Sequence, residues 1–129
     1  KKGDLVTAMT MASTDVQTIL FYKLFFEKKM NLKEKDKNKT LGKYIKLVED
    51  NNLFSRDEIA FLKEFRDFRN RISHERGYIE LMYRDAEESN KIKKLLKHIK
   101  HFIRQVRIKT EMEREKVYLQ MLTGIKDKL

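Results

Sequence analysis

The stretch "FRDFRNRISHERGY", Phe65–Tyr78, gathers four arginines, an asparagine and the chain's first histidine into fourteen residues. Arg69, Asn70 and His74 are the members whose types can do chemistry together. A histidine exchanges protons at cellular pH. An arginine stays charged and can hold phosphate oxygens through two parallel hydrogen bonds. Their spacing sets a condition. On an ideal helix Asn70 and His74 share an outward stripe one turn apart, while Arg69 lies near the core stripe, about 140° from His74. Convergence then needs the helix to unwind at Ser73, the Arg69 side chain to reach round, or each residue to meet its counterpart on another subunit. A plain alternative stays open, in which Arg69 caps or salt-bridges within a bundle and His74 closes a helix C-terminus, where a cation is welcome.

The elements that must position these residues are helices. The chain has 129 residues, no proline and four glycines, and 39% of its residues are charged. That composition favours long helices with charged outer faces in a single domain over residues 1–129. The first helix is expected over about residues 4–30, with Leu5, Met9, Ala12, Val16, Ile19 and Leu20 at helical spacing. In "ILFYKLFF" (Ile19–Phe26) apolar residues wrap most of the circumference. Such a helix is either central to the bundle or meets a second copy of the chain.

"NLKEKDKNK" (Asn31–Lys39) has no apolar period and reads as a loop. Leu41, Tyr44, Ile45 and Val48 then mark a short amphipathic helix. "SRDE" is a capping-box signature that starts a third helix at Ser55, with Phe61, Phe65, Phe68 and Ile72 as its inward stripe and Gly77 beyond its end. No stretch is a convincing strand, and "GYIELMY" (Gly77–Tyr83) is the one left open to an extended reading. A fourth helix is expected from Asp85 or Ser89, with Ile92, Leu95, Leu96, Ile99, Phe102, Ile103 and Val106 inward. "DAEE" (Asp85–Glu88) suits its first turn, where the helix dipole favours negative charge. Along "KTEMEREK" (Lys109–Lys116) the helix is thinly covered, bent or projecting. Apolar spacing returns at Tyr118, Met121, Leu122 and Ile125, which pack back on the bundle or on a partner. The expected fold is an all-α bundle of four to five helices with a long C-terminal helical segment.

Charge and motif content narrow the function. The formal net charge is +10, so an anionic partner is expected, with nucleic acid ahead of an anionic membrane surface or an acidic protein. There is no cysteine, which excludes disulfides and thiolate chemistry. The apolar runs are too short to span a membrane, and the chain reads as a cytoplasmic protein that is either processed or an excerpt. Glycine-rich phosphate loops, serine-nucleophile motifs and HExxH are absent from the sequence. Between Ser89 and Thr110 stand eight Lys or Arg and no acid. Lys93, Lys97, Lys100, Arg104 and Arg107 fall within roughly an 80° arc about 20 Å long, a row suited to following a phosphate backbone. No aromatics interleave on that side, so base stacking is not indicated. His98 and His101 stand at i, i+3, but their lysine neighbours repel a cation, and no metal or cofactor is expected.

"RNRISH" (Arg69–His74), at the end of a helix in a basic all-helical chain, resembles the HEPN domain (higher eukaryotes and prokaryotes nucleotide-binding). That family's ribonucleases carry R-x4–6-H, often with a polar residue such as Asn after the Arg. The fold-level resemblance covers most of the chain, and the motif covers six residues. The resemblance implies an up-and-down helical bundle and a metal-independent endoribonuclease acting as a homodimer. It implies His74 as general acid/base, Arg69 as phosphate clamp and Asn70 as a substrate or orienting contact, with a 2′,3′-cyclic phosphate product. The basic row Lys93, Lys97, Lys100, Arg104 and Arg107 would bind RNA phosphates. A role in toxin–antitoxin systems or antiviral defence follows by analogy, with an antitoxin or larger complex as further partner. HEPN toxins paired with a nucleotidyltransferase antitoxin often carry a modified tyrosine two residues after the His; here that position is Arg76, and Tyr78 stands two residues further on. The alternative is a non-catalytic HEPN-like module that binds RNA, nucleotide or protein.

Overall fold

A computed structural model describes residues 2–28 and 40–128, and the expected loop at Asn31–Lys39 lies outside the described residues. The described residues form an all-α bundle of five helices: α1 (Lys2–Lys28), α2 (Leu41–Asp50), α3 (Arg56–His74), α4 (Tyr78–Arg84) and α5 (Ala86–Lys128). No helix among the described residues is long and apolar enough to cross a membrane.

Local chemistry sets most of the boundaries. The Thr40 hydroxyl accepts from the Lys43 amide at 3.3 Å and opens α2. Ser55 opens α3 with a full capping box, its hydroxyl accepting from the Glu58 amide and the Glu58 carboxylate accepting from the Ser55 amide. At α5 the Asp85 carboxylate accepts from the amides of Glu87 and Glu88. Gly77 has φ of 82°, a left-handed conformation that lets the chain leave α3 and enter α4 within three residues.

One contiguous core joins the helices. Val16, Leu20 and Leu24 of α1 meet Ile45 and Val48 of α2, Leu62 and Phe65 of α3, and Ile92 and Ile99 of α5, all fully buried. The most extensive contact is between α1 and α5, which run parallel. The Leu5 amide at the start of α1 donates to the Tyr83 hydroxyl just before α5. Near its other end Tyr22 and Phe26 lie against Arg107 and Arg114. Helix α3 runs the opposite way along α5, with Phe61 beside His98 and Arg71 beside Glu88.

Three expectations change. "GYIELMY" is helical rather than extended, because Tyr78 and Met82 at i, i+4 bury on one face and a lone strand would have no partner for its backbone groups. The buried line of α3 is Ile59, Leu62 and Phe65, so Phe61, Phe68 and Ile72 flank the core, partly covered. Helix α3 packs against α1, α2 and α5, so the covered line is set by three neighbours rather than by its own spacing. Of the C-terminal apolar residues, Tyr118, Met121 and Leu122 do not pack back on the bundle but are exposed, with Leu119, on a helix that continues through Lys109–Lys116, while the Ile125 side chain lies outside the described residues.

The wrapped face of α1 is likewise only partly covered. Tyr22 and Phe25 remain about half exposed, while Lys23 is buried, paired with Glu27 at 2.7 Å and placed over the Phe54 ring.

Candidate functional site

Asn70 and His74 come together as their i, i+4 spacing requires. Both are exposed on the last turns of α3 and line one open groove of about 640 Å³ with Phe68, Arg71 and the carboxylates of Glu64, Asp67 and Glu75. Arg69 does not line that groove. Its guanidinium donates to the Asn70 side-chain oxygen at 3.4 Å, and no contact joins it to His74. Within one protomer, therefore, Asn70 is hydrogen-bonded to Arg69 and shares a groove with His74, and Arg69 and His74 stay apart.

The arginine that shares the groove with His74 is Arg71, which the sequence did not single out. Its guanidinium stands 3.7 Å from Glu75 and 3.9 Å from Glu88, and lies over the rings of Phe68 and Tyr78. Tyr78 is buried and donates its phenol proton to Glu88 at 2.7 Å. Burial first, and then the hydrogen bond and charge of Glu88, push the Tyr78 phenol up to about 12, with Arg71 pulling the other way. Tyr78 thus stays protonated and serves as a tie between the end of α3, the start of α4 and the first turn of α5. Arg71 could have been marked as the second cation in "RNRISH". Its partner Glu88 is seventeen residues away and carries no local sign of the pairing.

The basic row is exposed as its arc predicts. Lys93, Lys97, Lys100, Arg104 and Arg107 all face solvent from α5 and have no ion pair among the described residues. They present a free line of positive charge about 20 Å long. By contrast, Lys91 on the same helix is tied to Glu88 at 3.8 Å.

His98 and His101 are exposed beside this row. The fold adds what the local sequence lacks, since Phe61, Asp57 and Glu58 of α3 line a groove with them. No group of three or more His, Cys, Asp or Glu able to hold a metal ion occurs among the described residues. Compared with family models, with curated proteins and with solved structures, the chain finds no match.

Proposed function

We propose that this chain is a cytoplasmic, metal-independent endoribonuclease of the HEPN type, working as a homodimer in defence or as a toxin. The observation that carries the reading is the pairing of Asn70 and His74 on an exposed helix end, with Arg69 bonded to Asn70, in a molecule that also holds an unpaired cationic row on α5. His74 takes the proton of the ribose 2′-OH. The 2′-oxygen attacks phosphorus, the P–O5′ bond breaks, and the 5′-oxygen leaves with the proton returned by the His74 imidazolium, giving a 2′,3′-cyclic phosphate and a 5′-hydroxyl. Arg69 supplies the charge that stabilises the phosphorane oxygens.

A second subunit is part of this proposal. In one protomer the groove around His74 carries three carboxylates that repel phosphate, and Arg71 is already paired. A partner's guanidinium entering the groove would reverse that field. Incubation of the chain with total RNA in EDTA should give fragments ending in cyclic phosphate, and His74→Ala should abolish them. Equal inertness of both proteins across several RNA classes refutes the reading.

The same carboxylates favour one other reading, a non-catalytic HEPN-like module that binds RNA through α5 alone. That module keeps its RNA affinity in Arg69→Ala and His74→Ala and loses it when Lys97, Lys100 and Arg104 are neutralised.

A further inference from the structure

Threonines inside helices usually satisfy their hydroxyl on the preceding turn, and this chain shows the habit four times. Thr10, Thr14, Thr18 and Thr123 each donate to the carbonyl four residues back, at 3.0 to 3.2 Å. Thr110 breaks the pattern. It is only 8% exposed, and its hydroxyl has no hydrogen-bond partner among the described residues. A buried hydroxyl left unpaired costs free energy, so its retention needs a reason outside ordinary packing.

Thr110 forms part of the wall of a cavity of about 440 Å³ between α1 and α5. Tyr22 and Phe26 line the α1 side, their rings nearly parallel with centroids 6.1 Å apart, and Tyr22 is 46% exposed. Arg107 and Arg114 line the α5 side, one turn of helix on either side of Thr110, and Glu111 lines it with them. Arg107 is also the last member of the exposed basic row. The aromatic surface missing from that row in sequence is therefore supplied by α1, from more than eighty residues away.

We propose that this cavity is a subsite for one nucleotide unit, an aromatic base beside a phosphate. The base lies against Tyr22 and Phe26, the phosphate is held by Arg107 and Arg114, and the Thr110 hydroxyl hydrogen-bonds a polar edge of the base. Stacking on an aromatic face tolerates any base, and the guanidinium pair tracks the backbone, so the natural occupant is single-stranded rather than paired RNA. The subsite sits about 30 Å along α5 from the Glu88 end, where the motif of α3 docks, with the basic row between them. It rests on the RNA reading of the chain but not on cleavage.

The test is binding of a labelled single-stranded oligoribonucleotide to the chain carrying His74→Ala, which removes cleavage from the measurement. Tyr22→Ala should weaken binding about tenfold, and an oligomer of abasic residues should not distinguish the two proteins. Thr110→Val should weaken binding about threefold while raising the melting temperature, a combination that a purely structural role does not produce. Competition by a free nucleoside monophosphate at Tyr22 would assign the subsite to free nucleotides; competition by oligomers alone would assign it to the strand. The proposal is overturned if either variant binds as tightly as the parent. It is equally overturned if Tyr22→Ala turns a dimer into a monomer with RNA affinity intact, since the occupant is then a second copy. RNA left intact by the unsubstituted chain, with Tyr22→Ala and Thr110→Val still weakening binding, would refute the nuclease reading and leave this subsite standing.

Discussion

Replacing Tyr78 with phenylalanine deletes one oxygen and keeps the ring, so it isolates the tie between α3, α4 and α5. The lost bond is 2.7 Å long and ends on the Glu88 carboxylate, which is mostly buried at 15% side-chain exposure. Hydrogen bonds to charged groups are worth about 1.5–3 kcal/mol net. Glu88 keeps Arg71 at 3.9 Å and Lys91 at 3.8 Å after the change, so its charge is not stranded and the lower end applies. For a chain of this length a loss of about 1.5 kcal/mol lowers the melting temperature by about 5 °C. The effect has a pH signature. The phenol is raised from 10.0 to about 12 in the folded chain. Its contribution is fully present below pH 10 and is lost as pH rises towards 12, because the unfolded chain ionises first. Arg71 is half exposed, so solvent screening reduces this linkage to about 1–2 kcal/mol. Urea melts of both proteins should differ by about 1.5 kcal/mol at neutral pH and converge above pH 10. Tyrosinate absorbance should show a late-titrating phenol that is lost in the variant. Equal stability at neutral pH, or no late phenol lost on substitution, would refute the argument.

Three further outcomes follow from single features. Ser55→Ala removes the capping box of α3 and should cost about 1 kcal/mol in thermal unfolding, with Ser55→Gly costing only a few tenths. Neutralising Lys97, Lys100 and Arg104 together should flatten the salt dependence of single-stranded RNA binding by about two units of the log–log slope, while the three substitutions leave the melting temperature within about 2 °C. Ending the chain after Lys116 removes the exposed Tyr118, Leu119, Met121 and Leu122 and should leave the unfolding free energy of the bundle within about 1 kcal/mol in a urea melt.

What the sequence disclosed was whatever is written within a turn or two of helix. Ser55 with Glu58, Asp85 before two glutamates, and the apolar stripe from Ile92 to Val106 each depend on neighbours less than five residues apart, and the structure reproduces them. The pairing of Asn70 with His74 is of the same kind. The centre of the α3 stripe moved to Ile59, Leu62 and Phe65 because it depends on where α1, α2 and α5 pack against that helix. The helix at Tyr78–Arg84 was hidden for a similar reason: seven residues are too few for a helical period to stand out against β-favouring Tyr and Ile. Arg71 with Glu88, and Tyr22 with Thr110, are joined by tertiary packing alone. No spacing rule reaches across such distances.

The long final helix carries a consequence of its own. Its first part is clamped between α1 and α3, and its amides can exchange with solvent deuterium only when the bundle opens. Past Lys116 the chain adds about 18 Å of helix, along which Tyr118 to Gly124 are exposed. An isolated helix of a dozen residues is marginal in water, so this end frays at little cost even though its hydrogen-bond ladder is unbroken. Deuterium uptake along α5 should therefore step sharply near Lys116, protected on one side and fast on the other. Geometrically α5 is one element, but it consists of two cooperative units, and the boundary is set by where α1 stops.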